Sequence, residues 1–137
     1  MLLAVVAAIK TVPGMVTVYD GLPEAAPETA RLPAVIVRAD PVGGTVRVET
    51  GLKVWTIPVW IDVLIARGGE ARSAEKVIQP YLDTVLDKLL VADLAGHVMT
   101  GDVRWVISPL AINTATYIAG SLRITVERLD EATVWPA

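Results

Sequence analysis

Residues 53–66 constrain the fold more than any other part of the chain, because as a strand they have one apolar face and a second face that is mostly apolar. Successive side chains of a strand point to opposite faces of a sheet, so a strand of this kind must be covered on both sides. A small domain seldom supplies two covers alone, and the segment therefore predicts a subunit that packs into an assembly. One of its faces consists of Trp55, Ile57, Val59, Ile61, Val63 and Ile65.

The composition indicates one domain with more apolar surface than a single core needs. A chain of 137 residues fits one domain, and we expect it to bury about two-thirds of its unfolded surface. Hydrophobic residues make up 53% of the chain, yet no run approaches the roughly 18 apolar residues of a membrane helix. We therefore expect no membrane partner, and we expect subunit contacts to cover the excess apolar surface.

Several functional classes are disfavoured by composition. The chain has no cysteine, which excludes disulfides, zinc–thiolate sites and thiol catalysis. Its net charge is −3 and it contains no basic run, so we expect no specific binding of nucleic acid. A mildly acidic surface is still compatible with a channel through which DNA slides.

The residue pattern predicts one α+β domain over residues 1–137, with an antiparallel or mixed sheet, an extended hairpin, a main helix and a short N-terminal helix. The three strands between residues 33 and 66 are expected to form an antiparallel meander, and the last strand alternates as if one sheet face were wet. The predicted helices cover residues 2–10 and 70–89, and the predicted strands cover 15–19, 33–39, 45–49, 53–66, 98–108 and 114–128, with residues 20–31 as a loop and 109–113 as a break.

Two prolines fall inside predicted elements. Pro58 cannot donate to a sheet ladder, so it marks an edge, a bulge or a place where the strand changes partners. Pro80 removes one backbone hydrogen bond from the main helix and predicts either a kink or two abutting helices.

No residue pattern spells out catalysis or a cofactor site. Ser73 and Lys76 match the S-x-x-K spacing, but the companion S-D-N and K-T-G motifs are absent, which favours a chance match or a helix cap. His97 follows a predicted turn without a recognisable partner, so a turn residue is favoured over a general base. Asp83 and Asp87 share a helix face but have no third ligand in register, and we predict no metal.

Asp62 and the tryptophans are the more informative polar and aromatic residues. Asp62 lies between Trp60 and Leu64 on a strand almost free of charge, so a covered carboxylate there needs a partner. We expect Arg123 or Arg104 to supply it in a structural or intersubunit ion pair. Trp135, in the tail of residues 130–137, either folds over the sheet edge or anchors a neighbour. The candidate interface residues are Arg47, Glu49, Trp55, Trp60, Asp62, Arg123 and Trp135.

Several motifs follow one another across nearly the whole chain in an order that resembles one protein family. After the apolar helix come Val-Pro-Gly at 12–14, Val-Tyr-Asp-Gly-Leu-Pro-Glu at 18–24 and Leu-Pro-Ala-Val-Ile-Val at 32–37. A glycine-marked hairpin, the strand 55–65, a helix from residue 70 and Leu-Arg-Ile-Thr-Val at 122–126 complete the series. This layout is similar to that of the tail terminators of long-tailed bacteriophages, the tail-completion or minor tail protein U type.

The resemblance implies a structural virion protein and no enzyme. Such a subunit assembles with its own copies as a ring, often a homo-hexamer, which caps the tail tube, stops its polymerisation and presents a head-joining surface. Its implied partners are the tail tube protein and a head-completion or connector protein, with DNA passing through the ring. Its implied place is the head-proximal end of the virion tail, after assembly in the host cytoplasm. In this sequence the natural contact regions are the 40–53 hairpin, the 20–31 loop and the tail around Trp135.

Two alternatives stay open at the level of sequence. Another neck or tail-completion subunit would be just as small and ring-forming. A small ligand-binding or enzymatic α+β domain would need a pocket with converging polar groups, to which only Asp62, Arg104 and Arg123 are obvious contributors.

Overall fold

A computed structural model describes residues 2–10, 17–21, 23, 32–67, 71–92, 94, 96–113 and 115–131. No helix within these ranges is long and apolar enough to cross a membrane. The described part forms an α+β fold with one mixed sheet of seven strands and two helices, as predicted. The elements are α1 (Leu2–Ile9), β1 (Thr17–Asp20), β2 (Ala34–Ala39), β3 (Thr45–Glu49), β4 (Leu52–Arg67), α2 (Ala71–Val91), β5 (Val98–Met99), β6 (Arg104–Ile112) and β7 (Ala115–Glu131).

The centre of the sheet is the long antiparallel pair of β4 and β7, which extends from Leu52 opposite Glu131 to Arg67 opposite Tyr117. The other edge of β4 carries two shorter strands end to end, β3 along residues 52–56 and β2 along residues 59–64. The outer edge of β7 similarly carries β5 and β6. Strand β1 joins β2 in parallel and makes the sheet mixed. The predicted antiparallel hairpin of β3 and β4 is confirmed, but the predicted meander is wrong in its other pairing, because β2 pairs with β4 and not with β3.

Pro58 lies where β4 changes partners, which confirms one of the three roles expected for it. Its carbonyl oxygen accepts a hydrogen bond from the amide of Asp40 at 3.2 Å. The nitrogen and carbonyl of one strand residue point to the same edge, so the missing N–H of Pro58 also faces the side of β2 and β3. It falls in the gap between these two strands, where it leaves no ladder bond unmade.

The closing hairpin has a later turn than the sequence pattern predicts. Strand β6 continues through Pro109 to Ile112, and Pro109 is paired with Ile118 on β7. Proline is tolerated because β6 lies at the sheet edge, where the missing N–H can face away from the ladder. The chain turns instead at Asn113, whose φ of 54° is one that asparagine adopts more readily than most residues. The predicted break over residues 109–113 is thus wrong.

The two helices cover one face of the sheet, called here the helix side. Helix α2 continues through Pro80 as one helix, so the alternative of two abutting helices is wrong, while a kink stays a prediction. The buried residues on this side follow a spacing of three and four residues in the helices and alternate positions in the strands. They include Val5, Val6 and Ile9 from α1, Ile78, Leu82, Val85 and Leu89 from α2, and Val59, Ile61, Val63, Leu122, Ile124 and Val126 from the central strands.

The opposite face of the sheet, called here the network side, is not the wet face that the alternation in β7 predicts. Ser121 is buried, and the side chains of Arg123, Thr125 and Glu127 are half-buried. A second apolar cluster lies on this side. Its buried members are Ala34, Ile36, Leu64, Ile112, Ala115, Tyr117 and Ala119. Residues 59–64 of β4 are therefore buried on both sides, except for half-buried Trp60.

Candidate functional site

Asp62 is fully buried on the network side and has two partners. Its carboxylate accepts a hydrogen bond from Nε of Arg38 at 2.7 Å and one from Oγ of Ser121 at 2.6 Å. Ser121 lies directly opposite Asp62 on β7, and Arg38 reaches it diagonally from β2. The ion pair is structural, as one of the expected alternatives has it. The prediction that Arg123 or Arg104 pairs with Asp62 is wrong, because Arg38 is the partner.

Asp40 explains why Arg123 does not reach Asp62. The Asp40 carboxylate accepts hydrogen bonds from Nε of Arg123 at 2.8 Å, from Nε1 of Trp60 at 3.1 Å and from the amide of Val42 at 2.9 Å. Trp60 connects the two ion pairs, because the guanidinium carbon of Arg38 lies 5.6 Å from its ring centroid, within cation–π range. The six side chains of this polar network are Arg38, Asp40, Trp60, Asp62, Ser121 and Arg123.

The polar network joins three adjacent strands and has the character of a structural device. Every buried side-chain nitrogen and oxygen atom among the described residues has a hydrogen-bond partner, so the network holds no buried polar group aimed at an empty site. Satisfied buried polar groups fix strand register, because any shift would leave one of them unpaired. Sequence reasoning missed Asp40, which was assigned to a turn. The available signal was its position two residues after Arg38, on the same face of the strand.

The Asp40 pair predicts a specific pH dependence of stability. The hydrogen bond from Arg123 lowers the pKa of Asp40 from its ordinary value of 3.8, the amide of Val42 adds to this, and burial opposes it. A carboxyl group with a lowered folded-state pKa stabilises the fold above its unfolded pKa and loses that contribution as the pH falls through the folded-state pKa. The stability advantage of the wild type over Asp40→Asn should therefore be constant near neutral pH and shrink below pH 3.8.

Urea unfolding of the wild type and Asp40→Asn from about pH 7 down to about pH 2 measures this difference. The same comparison in an Arg123→Met background is the control, because the main cause of the lowered pKa is then missing. A difference that stays constant across the whole pH range would contradict the assignment of Arg123 as that cause.

The second candidate feature is an exposed arm, formed by β3, residues 52–56 of β4 and residues 127–131 of β7. Side chains 41–51 are all exposed. On the helix side of the arm, Val48 is 76% exposed and Trp55, which lies opposite Val46, is 38% exposed. On the network side, Arg47 and Glu49 form an exposed ion pair with a 3.0 Å separation. Val46 and Val48 lie on the face opposite to Arg47 and Glu49, and both faces of β3 are exposed to solvent.

A groove on the helix side is the third feature. It lies between α2 and β6 and has a volume of about 650 Å³. Its lining is largely apolar, and Trp105 on β6 is 54% exposed. Sequence reasoning missed this groove. It predicted one strand over residues 98–108, whereas the structure has two, β5 at Val98–Met99 and β6 from Arg104 to Ile112. The lining residues are Gln79, Pro80, Leu82, Asp83, Leu86, Trp105 and Leu122.

The structure separates the predicted site residues into two groups. Arg47, Glu49 and Trp55 lie together on the arm, whereas Trp60, Asp62 and Arg123 lie in the polar network. Trp135 lies outside the described residues, as does most of the predicted 20–31 loop.

The remaining chemical candidates do not converge on a site. His97 lies at a turn, with its Nδ1 3.0 Å from the carbonyl oxygen of Leu94. Asp83 and Asp87 are exposed on α2, and the described part of the chain has no group of three or more acidic, histidine or cysteine side chains placed to hold a metal. The side chains of Ser73 and Lys76 lie outside the described set.

Neither a scan against protein-family models nor a search of curated proteins returned a match to this chain.

Proposed function

We propose that this chain is a structural subunit of a bacteriophage tail, a tail terminator that forms a ring on the tail tube. In this role one face of the ring copies the stacking contacts of the tube, and the other face lacks them. No further tube subunit can then add, and the free face is available for head joining. The proposal rests on the motif order of the sequence together with the exposed arm.

The exposed arm is the observation that carries the assembly part of the proposal. Monomeric proteins rarely leave large contiguous apolar surfaces exposed, and larger patches mark interaction sites. The arm exposes apolar side chains on both faces, Val48 and Trp55 on the helix side and Leu129 on the network side. A projecting element that is apolar on two sides suits a subunit packed between neighbours better than one that works alone.

The alternative function, a small ligand-binding domain, has less support. Asp62 and Arg123 are engaged in separate structural ion pairs, and Arg104 is exposed on the outer strand β6. None of the three lines the groove between α2 and β6. Another neck or tail-completion subunit is the closer alternative, because it would use the same kind of interface.

The test is the native mass of the purified protein over a wide range of concentrations, combined with negative-stain images with and without tail tubes. Rings, or caps confined to one tube end, are the expected result. Assembly into rings that never attach to tube ends would favour another neck subunit. A compact monomer that ignores tubes would contradict the proposal.

Trp55→Ser should raise the concentration needed for assembly on the order of tenfold or more, because exposed tryptophans dominate interface energies.

Arg47→Glu should also weaken assembly, since it replaces an outward cation and places two acidic side chains side by side. Both effects are read from native mass against concentration. Val106→Ser is the matched control, because Val106 is 45% exposed on β6, outside the arm. If Arg47→Glu assembled like the wild type, Arg47 would not belong to the interface.

A further inference from the structure

The groove between α2 and β6 continues along the exposed surface of α2. Gln79, Asp83 and Leu86 line it, and Leu90 follows on the same helical stripe at a spacing of four residues. Leu90 is 63% exposed, so the apolar surface extends beyond the groove toward the end of the helix. Together with Trp105, this makes an elongated docking surface that is apolar at its base and acidic at its rim.

The helix-side face of the arm has the complementary character. Val46, Val48 and Trp55 expose apolar side chains on this face, and Lys53 lies in the same alternating set as Trp55. The Arg47–Glu49 pair points to the opposite face. Arg128 and Asp130 of β7 lie on the same face, opposite Trp55 and Lys53, and form an ion pair with a separation of 2.6 Å. The arm is therefore an apolar ridge on which, among the described side chains, Lys53 is the one cation in excess on the side that would meet a partner.

The charges of the two surfaces match in sign. Asp83 and Asp87 are exposed one turn apart on α2, and like charges at this spacing disfavour an isolated helix. Among the described side chains, neither aspartate forms a salt bridge, and neither does Lys53. An approaching Lys53 would relieve the repulsion between the aspartates, and it is available for this contact because Asp130, which lies opposite it, is paired with Arg128.

We propose that the helix-side face of the arm docks into the α2–β6 groove of a second copy of this chain. This inference rests on the proposed function and names the contact that would close the ring. The two surfaces differ from each other, so the contact is heterologous and leaves one free arm and one free groove after each addition. Repetition of such a contact closes a ring when the rotation per subunit permits it.

The head-to-tail contact is tested with two complementary variants, under whichever condition the wild type assembles. Val48→Glu blocks the arm and leaves the groove intact, while Trp105→Glu blocks the groove and leaves the arm intact. Each variant alone should be monomeric. An equimolar mixture should give heterodimers and nothing larger, because one good junction forms and the two remaining surfaces both carry a new glutamate.

A matched control separates docking from folding. Val106→Glu changes an exposed residue next to Trp105 on the opposite face of β6. It should assemble like the wild type. All three variants should keep the circular dichroism spectrum of the wild type, since the altered side chains are 45% to 76% exposed.

The contribution of charge to the arm–groove contact is measured separately. Lys53→Glu should raise the assembly concentration about threefold, added salt should reduce this difference, and Asp83→Lys in the same chain should reverse it. A Trp105→Glu variant that still assembles, or a mixture of the two blocked variants without heterodimers, would overturn the arm–groove contact while leaving the proposed function intact. A wild type that stays monomeric with and without tubes would overturn both.

Discussion

Asp62→Ala is expected to lower the free energy of unfolding by about 3 kcal/mol, the lower end of the range for breaking a buried ion pair. The lower end applies because the Arg38 side chain is still 27% exposed and can recover part of its hydration. Ser121 also loses its acceptor, and a buried hydroxyl without a partner adds to the cost. Urea unfolding at neutral pH measures the change.

Two comparisons distinguish a lost ion pair from a general sensitivity to mutation. Asp83→Ala removes an exposed carboxylate of α2 and should change the free energy of unfolding by less than about 0.5 kcal/mol. The double variant Asp62→Leu with Arg38→Met replaces both charges by apolar groups and should be more stable than Asp62→Ala, because no unpaired charge remains. A loss of less than about 1 kcal/mol in Asp62→Ala would show that the pair is not important for stability.

Gly120→Val is expected to destabilise the fold by about 3 kcal/mol, because α2 packs directly against the backbone of β7. A Cβ atom at Gly120 would overlap Cγ2 of Ile78 and lie 3.1 Å from Cδ1 of Leu82. Strand propensity favours valine over glycine, but that scale spans only about 1 kcal/mol and cannot offset the overlap. Thermal and urea unfolding of the variant measure the balance between the two effects.

A double-mutant cycle tests whether the overlap with Ile78 is the cause. Gly120→Ala and Ile78→Ala are each expected to destabilise, the first by overpacking and the second by leaving a cavity. In the double variant the new methyl group occupies part of that cavity, so the combined loss should be smaller than the sum by about 1 kcal/mol. Gly120→Ala with Val85→Ala is the control pair and should be nearly additive. A Gly120→Val variant as stable as the wild type would contradict the close packing.

The sequence predicted best those elements whose apolar residues follow one clear spacing, either that of a strand or that of a helix. Residues 59–64 of β4 are apolar in one alternating set and, except for Asp62, in the other, and the strand is buried on both sides there. The bounds of β3 match the prediction, because its polar alternation ends at a turn that contains Gly51, whose φ is 74°. The apolar stripe of α2 was equally clear from Ile78 to Leu89, where a spacing of three and four residues leaves one face for the core.

The pairing of the strands was not predictable in the same way. Alternation specifies which face a side chain takes but not which strand lies beside it, so a meander and an end-to-end arrangement of β2 and β3 fit the same pattern. The length of β4 was the first local sign that one strand has room for two partners. Pro58 was the second sign, although it was equally compatible with an edge or a bulge.

The ion-pair partner of Asp62 was not predictable from the sequence either. Arg38 and Arg123 both lie diagonally across from Asp62, one on each neighbouring strand. Only the position of Asp40, which holds Arg123, decides between them. The groove was also beyond sequence reasoning, since it depends on how far α2 lies from β6.

Pro109 affects how readily the open edge of the sheet can pair with another chain. Strand β6 is the long outer strand on one side of the sheet, and exposed edges of this kind serve as templates for uncontrolled strand addition. A proline in such a strand offers an incoming chain no amide donor, and the exposed Arg104 at its start adds a charge that must be desolvated. The edge therefore resists amyloid-like growth, so a chain that is 53% hydrophobic can expose apolar side chains without also offering a continuous backbone for aggregation.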